Sequence, residues 1–458
     1  MVGLVRPQLQ LQGTMIMKIL LIYTNINTMN TPHFNNGIGI LVAILKQAGH
    51  LVDYFCVTES LLDDSILSYV DQYSPDLIGF SSNTLQWFYV KKYAALIKSR
   101  FQTPIICGGC HPTFKPDEVI QDQNIDMICV GEGEVALKEL LERMSSGKDI
   151  SSIPNIWLKN EAGKIIKNDL GPLIIDLDLL PFADRSIVPY QTFINNYKVE
   201  PIFITSRGCP FHCTFCANSA YKKLYKGKGN WVRKRSPQHV IQEIQALREK
   251  YHFNTMNFYD ECFGYHKKWI TEFCHLYKQE FRYPFGCLIR AGTVDREWFR
   301  MMADAGLSII YIGVESGNET IRKKVMNRNI SDAVILKTCK DAMAEGIQVW
   351  TFNVIGVPGE TVSTIDETMA LNKLINPHFI QVSIYQPFPG TLLHDYCVEN
   401  NLFAHANKQS NFFTDSCLRL PTISSDNLIK KYNEFQTLAL ETRREHERKG
   451  DCILLNDF

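Results

Sequence analysis

Three cysteines are the residues of this chain whose type and spacing could do chemistry: Cys209, Cys213 and Cys216. Thiolates this close in sequence can bind three corners of an iron-sulfur cube. A cluster that only transfers electrons normally has four protein ligands, so a set of three leaves one iron open. The spacing therefore predicts an iron-sulfur centre at which a second molecule can bind.

Two simpler sites would use the same residues. A structural zinc ion would add His212 or a distant residue as its fourth ligand, and Cys213 with Cys216 would form a thioredoxin-like redox pair. Closed zinc sites usually combine two groups of ligands, and we find no second group in the sequence. The iron-sulfur interpretation is favoured, with the zinc and redox sites as alternatives.

A succession of strands and helices must position the cysteines. The cysteine segment directly follows an apolar run at 201–205, and further strands are predicted near 255–259, 285–289, 309–312, 348–355 and 379–385. Six βα units fit a partial (βα)6 barrel over residues 199–398, with its ligand-binding loops at the carboxyl ends of the strands. Residues 399–458 are predicted to form a small C-terminal helical region, with a charged helix near 427–449.

A second α/β domain is predicted upstream. Apolar runs at 19–23, 51–56, 77–80, 105–107 and 127–130 alternate with amphipathic segments, which indicates a doubly wound, flavodoxin- or Rossmann-like parallel sheet over residues 17–147. Residues 1–16 are predicted to be a flexible extension and 148–198 a linker that contains a hairpin around residues 161–163. Ligands of such sheets bind at the carboxyl ends of the strands. The small or polar residues in the loops there are Ser81, Ser82, Asn83, Gly108, Gly109, His111, Gly131, Glu132 and Gly133.

Composition limits the class of protein. The 458 residues exceed one ordinary domain, and 48 basic against 48 acidic residues give no overall attraction to nucleic acid or anionic membranes. No run approaches the roughly 18 apolar residues of a membrane span, and the N-terminus lacks the pattern of a secretory signal. The 14 cysteines lack the density of a small disulfide scaffold. We expect reduced thiols, no membrane span and a cytoplasmic location.

The cysteine spacing, Phe215 before the last cysteine and the position after a strand together resemble the signature of the radical S-adenosylmethionine (SAM) family. The resemblance implies a [4Fe-4S] cluster on Cys209, Cys213 and Cys216, with SAM bound to the open iron through its amino and carboxylate groups. It also implies that an electron from the cluster cleaves SAM to a 5'-deoxyadenosyl radical.

Motifs after the later strands resemble the family's contacts to SAM. With Phe215, the residues implied by this resemblance are Asp260, Glu261, Arg290, Glu315, Ser316, Asn353 and Gly356. Structural roles remain as alternatives: a polar turn at Asp260 and Glu261, a buried ion pair between Arg290 and Glu315, and a turn with a helix cap around Gly356.

A doubly wound domain ahead of such a barrel resembles the cobalamin-binding subgroup of the family. Under this resemblance cobalamin binds to the nine loop residues of the N-terminal domain named above. The Asp-x-His-x-x-Gly motif is absent, because His33 has no acidic residue two positions before it and Gly37 comes one position too late. His33 is therefore not predicted as a cobalt ligand. A purely structural α/β layer, in which His111 caps a helix or lines the core, is the alternative.

The resemblance implies an enzyme that methylates an unactivated carbon of a small-molecule substrate. Oxidative cyclisation or rearrangement with the same three cofactors is the first alternative. A methylthiotransferase is less favoured, because no cysteine follows the first strand around Thr24 and Asn25. A non-enzymatic cobalamin or cluster sensor is also less favoured, because it would not need the SAM-contact motifs.

Basic residues are concentrated between Lys222 and Arg235, with aromatic residues among them. This segment is predicted to dock an acidic reductant such as flavodoxin or ferredoxin, or to steer a phosphorylated substrate. A solvated surface is the alternative, and the balanced charge of the chain makes nucleic acid the weakest candidate partner.

Overall fold

The computed structural model describes residues 10–11, 14–26, 34–58, 63–404 and 411–451, so His33 lies outside the described residues. The chain divides into two units. The first consists of Met1–Ile174, Leu179–Tyr197 and Gly227–Gly229, and the second of Ile175–Asp178, Lys198–Lys226 and Asn230–Phe458.

The first unit is built on a seven-stranded sheet with the strand order β4-β3-β5-β6-β7-β8-β9. Its strands, after a short hairpin of β1 (Gln10–Leu11) and β2 (Thr14–Met15), are β3 (Lys18–Thr24), β4 (Leu51–Val57), β5 (Leu77–Ser81), β6 (Ile105–Gly108), β7 (Met127–Cys129), β8 (Ile156–Lys159) and β9 (Ile165–Lys167). The helices are α1 (Asn36–Gln47), α2 (Asp63–Tyr73), α3 (Trp87–Lys98), α4 (Cys110–Phe114), α5 (Pro116–Gln121), α6 (Glu134–Ser145) and α7 (Tyr190–Asn196). The five predicted parallel strands are confirmed. The antiparallel strands β8 and β9, which extend the sheet, lie within the segment predicted as a linker.

Burial on both faces explains the apolar runs of this sheet. Along β3, Leu20 and Ile22 pack into one core cluster while Ile19 and Leu21 pack into another. Successive side chains of a strand point to opposite faces, so a strand covered on both sides must be apolar throughout. The loops at the strand ends are then the parts of the sheet that remain for ligands.

The second unit contains six parallel strands in the order β10-β13-β14-β15-β16-β17. They are β10 (Ile202–Phe203), β13 (Met256–Phe258), β14 (Phe285–Ile289), β15 (Leu307–Glu315), β16 (Gln348–Ile355) and β17 (Phe379–Ile384), and a small hairpin is formed by β11 (Ser206–Arg207) and β12 (Arg233–Lys234). The helices are α8 (Ala217–Leu224), α9 (Pro237–Lys250), α10 (Lys267–Glu280), α11 (Arg296–Ala305), α12 (Asp332–Met343), α13 (Val362–Ile375), α14 (Leu392–Glu399) and α15 (Ser425–Lys449). The predicted partial βα barrel is confirmed.

The two faces of the barrel sheet carry separate hydrophobic clusters. Val382 and Ile384 of β17 share a core with Leu428 and Phe435 of α15, so the C-terminal helix covers the outer face of the last strand. The inner face carries a separate cluster that includes Tyr311, Trp350, Phe352 and Phe379. Within the described part of the chain, no helix is long and apolar enough to cross a membrane.

Candidate active site

The cysteine loop is fixed from both sides at Thr214. The backbone N–H of Thr214 donates to the carbonyl of Met326 (3.1 Å), and its hydroxyl donates to the carbonyl of Val325 (2.5 Å). Its own carbonyl accepts from the backbone N–H of Leu393 at the start of α14 (3.0 Å). Because Thr214 lies between Cys213 and Cys216, these bonds hold the loop against the part of the barrel that follows β15 and β17.

Gly208 allows the chain to enter the loop. Its φ is +86°, and a Cβ there would overlap the carbonyl oxygen of Trp231. Only glycine adopts this conformation without strain and leaves room for the backbone of the facing segment. The approach continues the hairpin in which Ser206 and Arg207 pair with Lys234 and Arg233.

The three cysteine sulfurs are not grouped as tightly as the ligands of a single metal ion. Among the described residues, only His378, His446 and Asp451 bring three metal-ligating atoms within 4.8 Å of one another. The sulfurs of Cys209, Cys213 and Cys216 are therefore spread more widely. A tetrahedral zinc ion with Zn–S bonds of about 2.3 Å would draw its sulfurs to within about 4 Å of each other. The three sulfurs are therefore not arranged as a preformed, closed tetrahedral zinc site.

Burial also makes these thiols dependent on a metal. It raises the pKa of Cys209 to about 12 and raises the pKa of Cys216. A thiolate becomes stable in such surroundings when a metal ion binds it, because coordination deprotonates the thiol. The set of three thiols is thus suited to a cluster and poorly suited to free thiolates.

Arg290 contacts the cysteine loop directly. Its Nη1 lies 3.5 Å from the Sγ of Cys213, and its guanidinium carbon lies 4.0 Å from the ring centroid of Phe211. The alternative of an ion pair between Arg290 and Glu315 is not what the structure contains. Glu315 is paired with Arg328, whose Nη1 lies 3.7 Å from the Oε1 of Glu315.

Glu315 is held in a strained position by this pairing. Its φ is +64°, a conformation that costs a residue with a side chain about 1–3 kcal/mol. Arg328 also donates from Nη2 to the carbonyl of Gly313 (2.5 Å). Sequence reasoning missed Arg328, because no motif marks it and its partners come from a different element.

Asp260 and Glu261, predicted together, have different surroundings. Asp260 is fully buried and accepts hydrogen bonds from the backbone N–H of Thr205 (3.1 Å), the Thr205 hydroxyl (2.9 Å) and the Ser206 hydroxyl. Its carboxylate therefore ties β13 to the start of the cysteine loop. Glu261 is exposed and accepts from Nδ2 of Asn218, two residues after Cys216 (3.2 Å).

The side chains of Asn353 and Ser316 also make internal contacts. Asn353 is buried, accepts from Nδ2 of Asn372 on α13 (2.7 Å) and donates to the carbonyl of Gln381 (3.1 Å). Ser316 is buried and accepts from the backbone N–H of Asn318 (3.2 Å). The structure thus brings Arg290 and Glu261 to the cysteine loop, while Asn353 packs against the helix layer.

Phe215 and Gly356 both contact buried residues of the second unit. Phe215 packs against the core cluster that contains Ile384 and Leu428. Gly356 has a φ of +80°, and its N–H donates to Oε2 of the fully buried Glu360 (2.5 Å). Glu360 lies four positions after Gly356 in the same motif, and no role was predicted for it from the sequence.

In the first unit, two of the predicted loops meet at glycine. Gly109 has a φ of +103°, and a Cβ there would lie 2.6 Å from the carbonyl oxygen of Ser82. The backbone N–H of Ser82 donates to the carbonyl of Gly108 (2.8 Å), and that of His111 donates to the carbonyl of Ser82 (3.1 Å). The backbones of these loops therefore leave no space for side chains at their contact.

Thr113 joins the loop that follows β6 to the loop that follows β7. Its hydroxyl donates to the carbonyl of Gly109 (2.7 Å) and accepts from the N–H of Gly131 (2.9 Å). Thr113 was not among the predicted residues, because a threonine on a short helix carries no signal of its partners.

The remaining predicted residues of this edge contact other parts of the first unit or lie at the ends of its strands and helices. His111 is buried, with its ring stacked on Trp87 at a centroid distance of 5.3 Å, as in the interpretation that it lines the core. Asn83 accepts from the backbone N–H of Gln86 (3.0 Å), and Glu132 accepts from that of Ile174 (3.3 Å). Ser81 ends β5, and Gly133 directly precedes α6.

The first unit contains a buried hydroxyl that a polar group of a ligand could hydrogen-bond. Thr24 ends β3, and its Oγ1 is buried without a hydrogen-bond partner among the described residues. A buried hydroxyl is normally hydrogen-bonded, so a ligand group at this strand end would complete it. The Thr24 hydroxyl is the feature of this edge that fits a polar group of a ligand such as cobalamin.

The basic segment is not one continuous solvated patch. Arg235 pairs with Glu243 (2.5 Å), and the amino group of Lys234 lies 4.9 Å from the ring centroid of Trp269. Lys222 contacts the cysteine loop, with Nζ 3.0 Å from Nε2 of His212. Lys223 and Lys226 are exposed and remain available to a partner.

Comparison with known proteins agrees with this geometry. The profile of the Radical SAM superfamily matches residues 203–371, and the profile of the B12 binding domain matches residues 24–141. An uncharacterized methyltransferase of Pyrococcus horikoshii is 26% identical over 397 residues, covering 86% of this chain and 85% of the relative. An anaerobic magnesium-protoporphyrin IX monomethyl ester cyclase of Rubrivivax gelatinosus is 24% identical over 391 residues, covering 81% and 68%.

Solved structures show the same fold. The radical S-adenosylmethionine methyltransferase TsrM of Kitasatospora setae, solved with cobalamin and a [4Fe-4S] cluster, superposes with a TM-score of 0.69 at 16% identity, covering 84% of this chain and 75% of that chain. The two profiles match the two units in which the glycine edge and the cysteine loop lie. The chain thus combines an N-terminal B12-binding domain with a radical SAM domain, and these two domains imply a [4Fe-4S] cluster, SAM and cobalamin as cofactors.

Proposed function

We propose that this enzyme methylates an unactivated carbon of a small-molecule substrate. The observation that carries the proposal is the presence, in one chain, of a three-cysteine loop and a glycine-lined edge in a B12-binding domain. The methyltransferase relative, which matches along most of its length, supports methyl transfer over other outcomes. When bound, the cluster and SAM supply a carbon radical, and cobalamin supplies a methyl carrier.

The roles of this chain's own residues follow from their contacts. Cys209, Cys213 and Cys216 hold the cluster, and Thr214 and Gly208 fix the loop that carries them. Arg290, Glu261, Glu315 and Gly356, with Phe215, Asp260, Ser316 and Asn353 as their framework, remain the proposed surroundings of SAM. The nine predicted loop residues of the first unit, from Ser81 to Gly133, remain the proposed cobalamin contacts. Within this set, Gly109 packs against the backbone of Ser82, and His111 is buried against Trp87.

The products of SAM test this function. Transfer of its methyl group leaves S-adenosylhomocysteine, whereas reductive cleavage leaves methionine and a 5'-deoxyadenosyl radical, which becomes 5'-deoxyadenosine when it takes up a hydrogen atom. The full chain, reconstituted anaerobically with iron, sulfide and cobalamin and then reduced with SAM present, is expected to form both nucleosides. A matched Cys213→Ala variant is expected to form no deoxyadenosine. Absence of deoxyadenosine from wild-type protein that holds an authentic cluster would contradict the radical chemistry.

Oxidative cyclisation is the second candidate function, favoured by the cyclase relative that covers 81% of this chain. A cyclase would form deoxyadenosine without S-adenosylhomocysteine, because no methyl group leaves SAM. The ratio of the two nucleosides therefore separates the two functions before the substrate is identified.

We also propose that an acidic reductant such as flavodoxin docks at Lys223 and Lys226, next to the lysine that contacts the cysteine loop. The same proposal places the protein in the cytoplasm, where such reductants occur. The scattered cysteines fit this location, because thiols stay reduced there. The double variant Lys223→Glu/Lys226→Glu should slow reduction of the cluster by flavodoxin at least tenfold at low salt. The matched variant Lys337→Glu/Lys340→Glu on α12 should leave the rate unchanged. Equal rates in both variants would place the reductant elsewhere.

A further inference from the structure

Arg290 has an unusual partner for a partly buried arginine. Its Nη1 donates toward the Sγ of Cys213 at 3.5 Å, and Cys213 is buried. The carboxylate that sequence reasoning offered to Arg290, that of Glu315, is paired with Arg328 instead. The guanidinium charge is therefore directed at a cluster thiolate.

The guanidinium is also held in place. It lies over the ring of Phe211, which belongs to the cysteine loop itself, with 4.0 Å between the guanidinium carbon and the ring centroid. The carbonyl of Arg290 accepts from the hydroxyl (2.7 Å) and the backbone N–H (3.1 Å) of Thr293, which fixes the end of β14. A planar cation stacked on a ring loses little additional freedom when it donates a hydrogen bond.

A positive charge and an N–H donor at a cluster sulfur favour the reduced state. Reduction adds one negative charge to the cluster, and the thiolate ligands carry part of it. Hydrogen bonds to the sulfurs and the net charge nearby are known to set the potentials of iron-sulfur clusters. Removal of the guanidinium should make the cluster harder to reduce, even when SAM is absent.

We propose that Arg290 raises the reduction potential of the [4Fe-4S] cluster through its hydrogen bond to the Cys213 sulfur. This role rests on the cluster of the proposed function and goes beyond the SAM contact implied by the family resemblance. A residue that acts only on SAM would change SAM affinity and leave the potential of the SAM-free cluster unchanged. The two roles thus differ in a quantity that can be measured without turnover.

The test is a redox titration of the full chain, reconstituted with iron and sulfide without SAM and followed by electron paramagnetic resonance. At the potential that half-reduces the wild-type cluster, Arg290→Gln should lower the ratio of reduced to oxidised cluster about tenfold, equivalent to about 59 mV for one electron. Arg290→Lys should give a smaller shift in the same direction, because it keeps the charge and loses the planar stack. The matched control Arg300→Gln, at an exposed arginine on α11, should leave the potential unchanged.

Phe211→Leu keeps the proposal testable if Arg290→Gln does not assemble a cluster. Loss of the ring should loosen the guanidinium and shift the potential of the assembled cluster in the same negative direction. Iron content and circular dichroism identify the variants that retain cluster and fold. Wild-type potentials in every Arg290 and Phe211 variant that retains its cluster would overturn the proposal. A wild-type chain that binds no cluster would instead contradict the proposed function.

Discussion

The cysteine loop of the barrel and the carboxyl edge of the N-terminal sheet are built by different means. The loop offers three side chains of one type, fixed through Thr214 and contacted by Arg290. The edge offers mainly backbone, with Gly109 against Ser82 and with Thr113 between two loops. Ligation by side chains should fail when one atom is removed, whereas a backbone site should fail when an atom is added.

Removal of a cluster sulfur should have the largest effect. Cys209→Ala, Cys213→Ala and Cys216→Ala are each expected to reduce deoxyadenosine formation to the background level, because each sulfur holds a separate iron. Cobalamin binding should persist, since the B12-binding profile matches a different unit. Iron and cobalamin content check the two sites separately, with the buried Cys339→Ala as the control. Turnover in any of the three variants at the wild-type rate would be inconsistent with this assignment.

Addition of one methyl group at the backbone site should be the next largest effect. Gly109→Ala combines a φ of +103° with a contact to the Ser82 carbonyl, so we expect cobalamin affinity to fall at least tenfold while the cluster is retained. Gly49→Ala, at φ +88° with nothing within 4 Å, is the matched control for backbone strain alone. Equal losses in both variants would mean that the effect is strain and not the shape of the edge.

The hydrogen bonds that Glu360 accepts from the backbone of Gly356 and Val357 should make the stability of the fold depend on pH. Burial raises the pKa of Glu360 to about 8, although two backbone N–H groups oppose the rise. The folded chain therefore keeps a proton that the unfolded chain releases above its ordinary pKa of 4.5, and stability falls as the pH rises from 4.5 to 8. Glu360→Gln should weaken this fall, measured as urea midpoints at pH 5 and pH 8. The exposed Glu249→Gln should leave it intact, and an unchanged slope in Glu360→Gln would refute the assignment.

In the N-terminal unit, the contact between the strand-end loops is made by the hydroxyl of Thr113, which does not titrate. Thr113→Val should lower the free energy of unfolding by about 1–2 kcal/mol, because it leaves the Gly131 N–H without its acceptor. The loss should be the same at pH 5 and pH 8, in contrast to Glu360→Gln. Thr271→Val, at an exposed hydroxyl on α10, is the control. A pH-dependent loss in Thr113→Val would remove this contrast between the two sites.

The sequence predicted the parallel strands and the cysteine loop because both are local patterns. Apolar runs mark strands that are buried on two faces, and thiol spacing marks a loop. The strands β8 and β9 were not assigned to the sheet, since an antiparallel edge with partly exposed residues resembles a linker in composition.

Side-chain direction was harder to predict than position. The pairing of β15 with β16 shifts in register between Gly313 and Glu315, and such a shift changes which side chains share a face. A motif at a strand end therefore did not reveal that Asn353 faces Asn372 on α13. Likewise, the partners of Asp260 lie 54 and 55 residues away, where no local pattern indicates them.

The open iron of the cluster is the central claim, and the spectrum of the reduced cluster tests it most directly. The electron paramagnetic resonance of the reconstituted, reduced full chain should change when SAM is added, because SAM binds the iron that Cys209, Cys213 and Cys216 leave free. A spectrum unchanged at saturating SAM would mean that the fourth iron already has a ligand, and would contradict the account.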